Sequence, residues 1–374
     1  MSIIHRLTSR KRLSYTVAFV ASVITALLIG CFATPSFSSE TSIPSTRHKY
    51  LWPFASTSPW NMPIGSNARY ISANFARAAY AGADREYFFK SKDENPWNGY
   101  PWREVYAPGA WAEGRCTGTK SLDNTWLPIP DDLIIPDATN NPYHTPNNAS
   151  AFLMPDGKTL IQLEPLARCQ KAGPVYGWRY PNVDIYGDGI GGAHFGSGLS
   201  SIGGSIRQGE LISKQPIHHA LKVVIWGEKY LYYSGSNPGY RWPADRADSN
   251  AANQYHGKNP SLVQGTLLAI PPNVTEENLN LQTPAAKKLF HALQDYGAYV
   301  VDDAGWDSHY FAVEQGVTEE FRKAFGYDFE GSSGLFYEDF MNLFQALYIV
   351  DNNGPDSIGG GGTPRVALAP PIGD

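Results

Sequence analysis

Charge is scarce in this chain. Asp, Glu, Lys and Arg make up 17% of its 374 residues, and the net charge is -5. The basic surface that nucleic-acid binding relies on is missing, so no nucleic-acid partner is expected. Disorder is excluded too: 42% of the residues are hydrophobic and 13% aromatic, and 10 Trp and 22 Tyr need a core or a binding surface. No repeat recurs at a fixed period, which argues against a propeller or solenoid. Neither Gly-x-Ser-x-Gly nor His-Glu-x-x-His occurs, so serine-esterase and zinc-peptidase readings lack support. Glycine (36) and proline (28) fill about one position in six, above the usual share but well short of a low-complexity chain.

Charge is also absent from 13–39, a stretch that follows Arg6, Arg10, Lys11 and Arg12. A basic start before a short apolar run is the layout of a secretory signal. The run ends in Leu28-Ile29-Gly30-Cys31, which resembles a bacterial lipobox with Cys31 as the lipidated residue. Ordinary cleavage near Ser36-Phe37-Ser38, or an uncleaved anchor helix, reads the same residues differently. Every version exports the rest of the chain, so the expected location is secreted, periplasmic or membrane-anchored. A lipid at Cys31 is the expected membrane attachment. The expected organisation is a signal over 1–30, an exported linker over 31–50, one domain over 51–350 and a Gly/Pro-rich tail or strap over 351–374.

Few cysteines remain once the signal is gone. Cys116 and Cys169 form an even pair in an oxidising compartment, and a disulfide between them is favoured over two buried thiols. It would close a loop of roughly 53 residues, worth about 4 kcal/mol on the chain-entropy model.

The body of the chain reads as mainly β. Short runs of β-branched and aromatic residues, at 132–135, 159–163, 175–180, 218–226, 230–233, 266–270, 298–301 and 310–313, are broken by turn formers. Asp156-Gly157 between two such runs is a hairpin signal. A short helix is expected over 71–80. Convincing helical patterns come late, over 285–296 behind Thr283-Pro284, and over 318–325 and 336–347. No linker divides 51–350. The expected fold is therefore a single large β-sandwich or jelly-roll-like domain with a few short helices near its C-terminus.

Candidate chemistry is spread along that body. Glu164 ends an apolar strand, where burial lifts a carboxyl into the range of a sugar-cleaving general acid; a solvated strand end reads the same residue equally well. On a strand from Ile217, His219 shares the face of Leu221 and Val223 and points inward, while Lys222 marks the other face as the wetter one. His219 is a candidate acid/base, with Arg207 and Glu210 to neutralise a substrate carboxylate or orient it, or to pair with each other. Asp302 and Asp303 follow another strand, with Trp306 and Asp307 close behind. Carboxylates beside an aromatic ring suit a sugar cleft, and an Asp-rich turn explains the same residues. Asp184 and Asp188, in a loop with Gly187, Gly189, Gly191 and Gly192, are weak calcium candidates, because their spacing does not fit an EF-hand. No other cofactor is expected. Tyr176, Trp178 and Tyr180 alternate, so they share one side of a strand as core or as a glycan platform. Trp178, Trp242 and Tyr296 join Arg207 as the expected substrate contacts.

Four strings together resemble a group of exported microbial proteins: Gly203-Gly204-Ser205-Ile206-Arg207 through Glu210, His219-Ala220-Leu221, Arg241-Trp242-Pro243-Ala244, and 292–303. The resemblance implies export and one extended domain over 51–350, and carries over no catalytic residue and no substrate. Jelly-roll alginate lyases share only loose echoes, because Arg207-Gln208-Gly209-Glu210 and Pro216-Ile217-His218 stand too close together.

The leading expectation is an exported enzyme that cleaves a polysaccharide or cell-wall glycan. Glu164, Glu210, His219 and Asp303 are its candidate acid, base or charge stabiliser. A hydrolase needs two carboxyl groups in one cleft, whereas a lyase needs a base such as His219 or a Tyr with a neutraliser such as Arg207. The rival is a non-catalytic glycan-binding or envelope lipoprotein. A weaker third reading is a double-psi barrel acting on cell wall, and the helix before Asp302 counts against it.

Overall fold

The computed structural model describes residues 44–89, 100–110, 114–135 and 147–373. The 1–30 signal, Cys31 and most of the 31–50 linker lie outside the described residues. Among the described residues, no helix is long and apolar enough to cross a membrane.

Six of the eight apolar runs become strands, and the described residues hold thirteen strands joined in one mixed order. From one edge it runs β1 (Tyr70–Ser72), β13 (Tyr348–Val350), β10 (Leu267–Ala269), β11 (Ala298–Ala304), β9 (Leu221–Trp226), β12 (Ser308–Glu314) and β2 (Tyr80–Phe89). It continues through β5 (Ser150–Leu153), β6 (Thr159–Ala167), β7 (Val175–Arg179), β3 (Trp102–Tyr106) and β4 (Ser121–Pro128), with β8 (Val183–Asp184) also on β6. β2 joins the two halves: 80–86 pair in parallel with β12, and 87–89 with β5. The chain is thus mainly β, with its longer helices near the C-terminus.

Those helices are α3 (Pro284–Asp295), α4 (Val317–Phe325) and α5 (Leu335–Gln345), preceded by the single turns α1 (Gly227–Tyr230) and α2 (Ala251–Gln254). Thr283 caps α3 by accepting from the Ala286 amide, Pro284 fits the first turn, and Gly297 at φ 78° ends it. Asp339 of α5 accepts from the Thr283 amide at 2.7 Å and its hydroxyl at 2.6 Å, which ties the two helices together.

Both faces of the central strands are covered. Leu221, Val223 and Ile225 of β9 join Phe311, Leu289, Phe321 and Phe340 in one core beneath the helices. Ala220 and Val224 face the other way, with Tyr299, Val301, Tyr310, Phe152 and Leu163. Burying each large apolar side chain contributes roughly 1.5–3 kcal/mol. Hence the face marked by Lys222 is not the wetter one: Lys222 is fully buried. Alternation gives the correct partition of β9, but both faces of this strand are interior.

Three local expectations also fail, and one is the strand over 132–135, where the chain turns and only Ile135 bridges Arg168. Residues 71–80 are not helical; 70–72 pair with β13, and Asn74 at φ 56° turns the chain. Tyr230 ends α1, and 231–233 form no strand. Cys116 and Cys169 do form a disulfide. The 351–373 segment is a strap: Ile372 bridges Arg47, Pro364 bridges Gly65, and Arg365 pairs with Asp295 at 2.9 Å.

Candidate functional site

Charged residues set inside apolar strands build the site. In β2, Asp84 and Glu86 alternate with Ala83 and Arg85, so both carboxyls leave the face opposite Ala81 and Ala83. Lys222 meets Glu86 from β9. Its ammonium donates to Glu86 Oε1 at 2.5 Å and to the carbonyls of Ser200 and Ser201 at 3.0 and 2.9 Å. Those three bonds use all its protons. His194 Nε2, 2.7 Å from Glu86 Oε1, is therefore the protonated ring nitrogen and donates to Glu86. The Ser205 hydroxyl donates to Glu86 Oε2. His194 Nδ1 then faces the opposite way, 4.0 Å from Asp302 Oδ2. Burial and the Lys222 charge oppose protonation of His194, but Asp302 and Glu86 outweigh them and lift it to about 9.

β6 supplies Glu164, which stands opposite Trp178 of β7 in register, just before the cis bond to Pro165. Directly opposed residues in an antiparallel pair project to the same side, so the indole lies beside the carboxyl. Glu164 is 2% exposed; its Oε2 accepts from the Phe195 amide, and its Oε1 has no donor among the described residues. Burial, helped by the Asp302 charge, pushes this carboxyl well above the usual range.

β11 supplies the rest through an irregularity. Its register against β9 shifts between Val300 and Asp302, and Ala304 then packs with the core of Tyr299 and Val301. Such a bulge re-aims the side chains after it, here Asp302 and Asp303. Asp302 accepts from Asn147 at 3.0 Å. Asp303 accepts from Gln254 of α2 and shares a hydrogen bond with Asp248. Burial first, then the Asp248 and Asp302 charges, push Asp303 up to about 9. Asp248 takes the Tyr255 hydroxyl; burial and Asp302 raise it as well. Gly196 makes this approach feasible: a Cβ there would fall 2.6 Å from Asp302 Oδ1 and 2.9 Å from Asp248 Oδ2.

These groups line a cleft of about 600 Å³ with Trp178, Phe195, Arg115 and Asn147. Trp178 and Phe195 are 43% and 49% exposed, so both rings are open to a ligand. One oxygen each from Asp248, Asp302 and Asp303 lies within 4.8 Å of the others, and the same holds for ligand atoms of Glu164, His194 and Asp302. A larger hollow of about 710 Å³, between 64–70, 271–274 and the strap, is lined by no carboxylate and no His.

Of the residues expected from sequence, Glu164, Asp303 and Trp178 meet in the cleft. Glu210, His219 and Arg207 meet elsewhere. His219 Nε2 donates to Glu210 Oε1 at 3.1 Å, and Glu210 Oε2 takes the Arg207 amide at 2.7 Å. The Arg207 guanidinium bonds Glu314 at 3.1 Å and lies 4.7 Å from the Phe88 ring centre. The hollow beside this network measures about 10 Å³, the scale of a single water. Tyr296 is 2% exposed within the core, and Trp242 is half-buried outside the cleft lining. Asp184 pairs with Lys158 at 3.1 Å and Asp188 accepts from the Ile190 amide at 3.1 Å; neither belongs to the cation-sized clusters found among the described residues.

Asp84, Glu86, His194 and Lys222 were not anticipated at the site. Their signal was available in part: two acids in the Tyr80–Phe89 strand and a lysine amid Leu221, Val223 and Val224 are charges in the middle of apolar runs. No family model, no curated protein and no solved structure matches the chain.

Proposed function

We propose that the protein is an exported enzyme that hydrolyses a polysaccharide at this cleft. One observation carries the reading: Glu164, Asp248, Asp302 and Asp303 converge in a single hollow walled by two open aromatic rings. Glycoside hydrolysis needs a carboxyl donor and a carboxylate flanking the scissile bond, and an aromatic ring packs well on a pyranose face. Asp303 is the proton donor in this scheme, because it lines the cleft and is bonded to a second carboxyl, Asp248. Two carboxyl groups in that contact hold a proton between them. Asp302 is the neighbouring charge that stabilises the oxocarbenium-like centre, and Glu164 closes the floor.

The lyase version is disfavoured, because its base and neutraliser, His219 and Arg207, sit in the separate closed network. A non-catalytic glycan-binding reading has one observation behind it: Trp102, Trp126 and Trp178, on adjoining strands, are each more than 40% exposed. A panel of neutral and uronic-acid polysaccharides separates the three. New reducing ends without ultraviolet absorbance support the hydrolase, and absorbance from an unsaturated uronate supports the lyase. Tight glycan retention with neither signal supports the binding protein.

A further inference from the structure

Behind Glu164 and Asp302 lies a buried histidine that the hydrolysis scheme does not use. His194 is 1% exposed, and its Nε2 is pinned by Glu86, which is itself held by Lys222. Its Nδ1 makes no hydrogen bond among the described residues and stands 4.0 Å from Asp302 Oδ2. Glu164 Oε1 is also buried and has no donor among the described residues. One ligand atom from each of Glu164, His194 and Asp302 lies within 4.8 Å of the other two, and all three residues are buried. An imidazole whose far nitrogen is fixed by a carboxylate is how proteins orient a metal-binding histidine.

Charge points the same way. Glu86, Glu164 and Asp302, all buried, share Lys222 and His194 between them. Buried carboxylates in that excess need a cation or protons to be tolerated.

We propose that Glu164, His194 Nδ1 and Asp302 bind a divalent transition-metal ion in the floor of the cleft. A mixed nitrogen and oxygen set favours zinc or manganese over calcium, which takes about six to eight oxygens. Ligands about 2.0–2.2 Å from an ion stand roughly 3–4 Å apart, so the trio closes by about an ångström on binding. The side open to the cleft leaves a coordination position for water or a hydroxyl. The site shares Glu164 and Asp302 with the proposed hydrolase cleft.

The test uses the untagged protein, treated with chelator and dialysed, then titrated by calorimetry with zinc chloride, manganese chloride and calcium chloride. One equivalent of zinc or manganese is expected to bind with a micromolar or tighter constant and to raise Tm. Affinity is expected to fall on the order of 100-fold in Glu164→Gln and His194→Gln. Glu164→Gln keeps the side-chain shape, so it carries the test if His194→Gln fails to fold. Failure of zinc and manganese to bind, calcium binding tightly in their place, or unchanged affinity in Glu164→Gln overturns the proposal. Glycan cleavage by metal-free protein that binds no ion would remove the metal and leave the hydrolase. Metal binding without cleavage of any glycan would do the reverse.

Discussion

Replacing His309 with Phe isolates a single buried proton site. His309 is fully buried on β12, its ring stacked on Phe344 at 4.6 Å and edge-on to Phe75, with Tyr230 alongside. Burial, opposed by the bond from Nε2 to the Ala76 carbonyl and reinforced by the Lys229 charge, lowers it from 6.5 to about 4. The folded chain therefore keeps this ring neutral through a range in which the unfolded chain protonates it. The native state loses stability as pH falls from about 6.5, and the loss is complete near pH 4. A shift of that size corresponds to about 3 kcal/mol at 1.36 kcal/mol per pH unit. Phe keeps the stack but leaves the Ala76 carbonyl without its donor, which costs about 1 kcal/mol at every pH. The two stability curves should therefore cross: wild type is the more stable at pH 7 and His309→Phe the more stable at pH 4. Urea unfolding at half-unit steps measures this, because acid effects from distant groups cancel in the difference. Curves that stay parallel between pH 6.5 and 4 would refute the assignment.

Two further perturbations bear on the frame of the site. Removing the disulfide as Cys116→Ser with Cys169→Ser should cost about 4 kcal/mol, read as a lower urea midpoint, since it frees a 53-residue loop. Lys222→Met strands Glu86 without its ammonium and should cost about 3–5 kcal/mol; adding Glu86→Gln should recover much of that, which a double-mutant cycle measures directly.

The fold was legible where local pattern and tertiary setting agree. Thr283-Pro284 and Gly297 bracket α3, and Asp156-Gly157 joins β5 to β6, because caps and tight turns are decided by neighbouring residues. It was illegible where pairing partners are distant. Ile71 lies in a strand because Ile349 pairs with it, and Lys222 is interior because Glu86, 136 residues away, receives it. The same limit divided the candidate site. Glu164 and Asp303 could be picked out as acids at the ends of apolar strands, and both reach the cleft. Glu210 and His219 looked equally suitable, but their local geometry pairs them with each other beside Arg207. Asp248 and His194 come from loops whose sequence carries no periodicity, so only the folded chain brings them to Asp302.

In the proposed hydrolase, chemistry belongs to the four-carboxyl cleft rather than to the Glu210–His219 network. The direct measurement is the cleavage rate per folded molecule on the best glycan for wild type, Asp303→Asn and Glu210→Gln. Removal of a general acid should slow Asp303→Asn about 10²–10⁴-fold, with Glu210→Gln close to wild type. Full activity in Asp303→Asn with loss in Glu210→Gln would contradict the account and move the active site to the other network.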